Sequence, residues 1–61
     1  MSDALREAAS LAPEWIERFG TDASAVALLM QRTMMDRQNP KRAEMYRLLA
    51  DLLRDQANAA A

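Results

Sequence analysis

Residues 25 to 35 read AVALLMQRTMM, and the placement of these side chains decides how the rest of the chain is read. At about 100° per residue, Val26, Leu29, Met30 and Met34 fall on one side of a helix, while Leu28 and Met35 point the opposite way. A helix with apolar residues on every side is ordinarily surrounded by neighbours. In a chain of 61 residues, flanking helices can cover part of that surface, and a second chain is expected to cover the rest.

The composition points the same way. A chain of about 60 residues buries only about 60% of its unfolded surface and usually needs disulfides, a metal or oligomerisation. There is no Cys and no His, which removes a disulfide framework and every Cys/His zinc site. No Asp-rich calcium loop appears, so neither metal nor cofactor is expected. Eight basic and nine acidic side chains nearly cancel, giving a formal charge of −1. That balance argues against wholesale nucleic-acid binding. No run of about 18 apolar residues predicts a membrane span. Asp3, Arg6 and Glu7 interrupt any secretory-signal pattern, so a cytoplasmic location is expected.

Three helices follow from the phase of the apolar residues, at about residues 3–19, 22–37 and 40–57 of a single domain spanning 1–61. In the first, Ala4, Leu5, Ala8, Ala9, Leu11, Ala12, Trp15, Ile16 and Phe19 share half the circumference. That stripe continues in phase through Pro13, which predicts one helix kinked near Pro13 rather than two. Gly20 is placed to end it with positive φ. Thr21 or Asp22 is expected to cap the second helix. Asn39 followed by Pro40 is a strong start for the third. Its apolar set, from Met45 and Tyr46 to Leu53 and Ala57, covers a wide arc. Arg47, Glu44, Asp51, Arg54 and Asp55 form a charged ridge opposite, with Arg47 and Asp51 spaced for an i,i+4 pair. The Ala-rich C-terminus buries little and is expected to fray. The fold class is therefore all-α, a small three-helix bundle expected to complete its core by oligomerisation.

Catalytic constellations are mostly excluded. Without His or Cys there is no imidazole base and no thiol nucleophile. Ser2, Ser10 and Ser24 sit at helix-start positions, where capping accounts for them. One glycine cannot build a phosphate-cradling loop. Trp15 and Phe19 read as core more readily than as a partner's anchor. The methionines read as core or dimer seam. One local rule is broken: Lys41 and Arg42 occupy the first turn of the third helix, where positive charge opposes the dipole. With Arg37 they form a candidate anion-binding cluster.

The function expected from these residues is non-enzymatic. A helical module would bind itself as a homodimer, or a larger protein subunit, through Val26, Leu29, Met30, Met34, Leu48, Leu49, Leu52 and Leu53. The alternative is a helix-turn-helix regulator whose basic turn, Arg37 to Arg47, would contact DNA phosphates.

Overall fold

Gly20 and Gln38 set the two places where the chain changes direction. In the computed structural model, which describes residues 3–60, α1 spans Asp3–Phe19, a 3-10 turn spans Gly20–Asp22, α2 spans Ala23–Asp36 and α3 spans Pro40–Ala60. Every element among the described residues is helical. No coil residue separates α1, the 3-10 turn and α2, so the chain forms two uninterrupted helical runs, 3–36 and 40–60. The radius of gyration is 11.0 Å, close to the about 10.5 Å of a compact chain this long.

Both turns work through positive φ. Gly20 has φ 56°, the left-handed conformation that only glycine adopts without strain. The chain then closes by a backbone bond from the Ala23 N–H to the Gly20 carbonyl. The expected side-chain cap at Thr21 or Asp22 is not made, because Asp22 itself lies in helical conformation. Consequently α2 starts one residue later than expected and also ends one residue earlier. At its far end Gln38 takes φ 57°, and its N–H bonds the Met35 carbonyl at 3.0 Å. The Asn39 N–H reaches back to the Met34 carbonyl at 2.8 Å, completing a Schellman closure. The Asn39 side chain then accepts the Arg42 N–H at 3.3 Å, capping α3. One asparagine thus terminates one helix and begins the next.

Pro13 lies exposed within α1, which continues through it as one helix. The third helix extends three residues past the expected end at 57.

α3 is the central element. It packs on both α1 and α2, which meet each other only sparsely. Asp3, Ala4 and Glu7 lie beside Lys41, Arg42 and Met45. At the other end Gly20, Thr21 and Ala23 lie beside Leu53, Gln56 and Ala57. α1 therefore runs with α3, and α2 runs against it.

The core is built from unequal contributions. α1 and α2 bury only alanines, Ala8 and Ala12 in one and Ala23 and Ala27 in the other. Each pair is spaced i,i+4, leaving a shallow groove for the bulk of α3. Met45, Tyr46, Leu49 and Leu53 fill those grooves. Met45 and Leu49 are the largest fully buried side chains, each contributing about 1.5–3 kcal/mol of burial. That is a small core, and the bulky residues of α1 add little to it. Trp15 is half-buried, stacked edge-on to Phe19 at 5.1 Å and tilted against Tyr46 at 5.9 Å. Ile16 and Phe19, expected inside, are exposed because the narrow alanine stripe faces α3 and leaves them at its edge.

Candidate interaction surface

The outer face of α2 is the largest departure from ordinary surface chemistry. Ala23, Ala27, Met30 and Met34 turn towards the core. Ala25, Leu28, Leu29, Arg32, Met35 and Asp36 occupy the opposite half of the helix, and all six are exposed. Leu28, Leu29 and Met35 are 52%, 64% and 58% exposed, the three most open large apolar side chains described. A helix on the surface of a globular protein ordinarily carries charge on this face. Here only Arg32 and Asp36 do.

The residues expected to form an interface divide three ways. Leu29 is exposed on this outer face. Val26, Met30, Met34, Leu48 and Leu52 are half-buried; all but Val26 pack against the core. Leu49 and Leu53 are buried within the chain, where α3 presents them to the alanine grooves. The residues left out were Leu28 and Met35. Their signal was the 3-4-3 spacing of Ala25, Leu28, Arg32 and Met35, a seam pattern hidden by the larger set of apolar residues around it.

The basic cluster is dispersed. Arg42 lies over the Tyr46 ring, 5.7 Å from its centre, and its Nη2 donates to the Tyr46 hydroxyl at 3.5 Å. Its other nitrogen pairs with Glu7 of α1 at 3.6 Å. Tyr46 first, and Glu7 after it, hold the guanidinium above its ordinary pKa. Lys41 and Arg42 line a small hollow of about 240 Å³ together with Asp3 and Glu7, so carboxylates face the cations there. Arg37 is exposed at the end of α2, outside that hollow. The cation at the start of α3 that broke the dipole rule therefore ties α3 to α1.

Along the exposed side of α3, Arg47 takes Glu44 through two bonds of 2.6 and 3.1 Å and meets Asp51 at 3.5 Å. Arg54 closes the row on Asp51 at 3.1 Å. The Arg47 hydrogen bond holds the Glu44 carboxyl below its ordinary pKa. These are exposed pairs within one helix, of modest energy.

A cleft of about 440 Å³ opens where the α1–α2 junction meets the end of α3. Ile16, Ala23, Leu53 and Ala57 give it apolar walls, and Thr21, Ser24 and Gln56 are its polar residues. No motif or spacing in the chain points to it. It holds no acid, base or thiol. Ser24 lies in the first turn of α2, Ser10 is exposed in mid-α1 rather than at a helix start, and Ser2 lies outside the described residues. Among the described residues no three His, Cys, Asp or Glu side chains gather as a metal site. None of the helices described is long and apolar enough to cross a membrane. Comparison with known proteins returns no family model, no curated protein and no solved structure that matches the chain.

Proposed function

We propose that this chain is a non-enzymatic interaction module, a three-helix bundle that completes its apolar burial by association with a further copy. The observation that carries the reading is the outer face of α2, where Leu28, Leu29 and Met35 stand open to solvent. The surface area supports it. The chain exposes 4476 Å², whereas a folded monomer of this mass exposes about 4,000 Å². The exposed α2 face contributes to that excess together with the exposed end of α3, residues 54–59. The small core supports it too, since the intramolecular burial is of the marginal size expected below about 70 residues. A cytoplasmic setting belongs to the same proposal.

The helix-turn-helix reading has less in its favour. A recognition helix needs a free polar face. That of α3 is occupied by the Glu44–Arg47–Asp51–Arg54 row, whose acids oppose a phosphate backbone. Arg42 is engaged by Glu7 and Tyr46.

Sedimentation equilibrium of the Leu28→Asp variant against the parent tests the proposal. Leu28 is outside the core, so the variant keeps its helical circular dichroism while its mass falls to that of one chain. An associated parent whose mass the variant retains, with helicity unchanged, would remove the α2 face from the account.

A further inference from the structure

We infer that two copies pair through α2 with the two helices antiparallel, the dyad crossing the seam at the level of Met30. This rests on the proposed self-association and adds its geometry. Ala25, Leu28, Arg32 and Met35 follow the 3-4-3 spacing of a seam between two helices, and all four are exposed on one face of a 14-residue helix. The spacing alone allows either direction; the charges decide between them.

In a parallel, in-register pair each residue meets itself. Arg32 would oppose Arg32 of the second copy across the seam, and Asp36 would lie beside Asp36 of the second copy at the negative ends of both helices. Reversing one helix about Met30 removes both conflicts. Leu28 then lies opposite Arg32 of the second copy, whose methylene stem can cover the leucine while its guanidinium reaches water. Asp36 comes level with Ser24 of the second copy, in the first turn of that α2, where the dipole favours negative charge. Each relation occurs twice by symmetry, as an isologous pair requires.

The absence of cysteine from the chain makes the test direct. Ala25→Cys and Met35→Cys proteins are prepared separately, mixed in equal amounts and oxidised mildly, with circular dichroism confirming that each is folded. In the antiparallel pair Ala25 meets Met35 of the second copy. Two copies of Ala25 would stand about 15 Å apart along the helix axis, beyond the reach of a disulfide. The mixed disulfide should therefore dominate well above the half share given by indiscriminate collision, and Ala25→Cys alone should stay largely uncrosslinked. Efficient Ala25–Ala25 linkage without excess mixed product would overturn the antiparallel geometry in favour of a parallel one. A reduced sample of dimeric mass that forms neither linkage would overturn the α2 seam while leaving self-association intact. A monomeric mass in the same reduced sample would overturn both the geometry and the reading beneath it.

Discussion

Two residues with nearly equal positive φ differ in what they cost. Gly20, at 56°, sits where a Cβ would meet nothing within 4 Å, so its role is conformational rather than steric. Gly20→Ala should lower stability by about 1–2 kcal/mol, the strain of an L-residue in the left-handed region. Gln38, at 57°, already carries that strain, and Gln38→Gly should raise stability by about 0.5–1 kcal/mol. Urea unfolding at one fixed protein concentration measures both, and opposite signs are the expected outcome. Glu44 supplies the titration prediction at this scale. Its carboxyl is held below its ordinary pKa by the Arg47 hydrogen bond. The pair therefore stabilises fully above the ordinary glutamate value, and that contribution is lost as pH falls through the lowered one. An NMR titration should place Glu44 below an unpaired glutamate, and Arg47→Gln should bring it back up.

Between helices, the alanine grooves explain what could and could not be foreseen. The 3.6-residue phase of α1 included its buried Ala8 and Ala12 but also Ala9, Ile16 and Phe19, which are exposed, whereas the Asn39–Pro40 start of α3 was legible because both residues have specific terminal chemistry. Gly20 was legible for the same reason. The unbroken passage from α1 through the 3-10 turn into α2 was not, since Thr21 and Asp22 read as caps and only the backbone shows that the cap is unused. Periodicity set Leu28 and Met35 opposite Met30 and Met34, as the structure has them, but grouped the exposed Leu29 with the inward side. Ala27 is buried while Leu28 and Leu29 are open, because small residues let α2 approach α3. A hydrophobicity pattern weights leucine over alanine and so points outward residues in. The structure makes a sharp contrast testable. Leu49→Ala removes a side chain buried in the centre of the fold and should cost about 2–5 kcal/mol. The same change at Leu28 should leave the fold of the single chain within about 0.5 kcal/mol and act on association instead. Unfolding followed at several protein concentrations separates the two effects.

The whole molecule joins a central helix, two alanine-faced flanking helices and one open apolar face. The charges serve this arrangement locally: Arg42 meets Glu7 of α1 in a half-exposed pair, and the α3 row satisfies itself within one helix. Little positive field is left over for a polyanion, and duplex DNA should show no mobility shift with this protein even at low salt, where phosphate contacts are strongest. The central claim is that the α2 face is covered by a second copy. Its most direct test is molar mass by light scattering after size exclusion over a wide range of concentrations. The account predicts a species of twice the 6.9 kDa chain mass that dissociates on dilution. A folded species of single-chain mass at every concentration, with an unfolding midpoint independent of concentration, would contradict it.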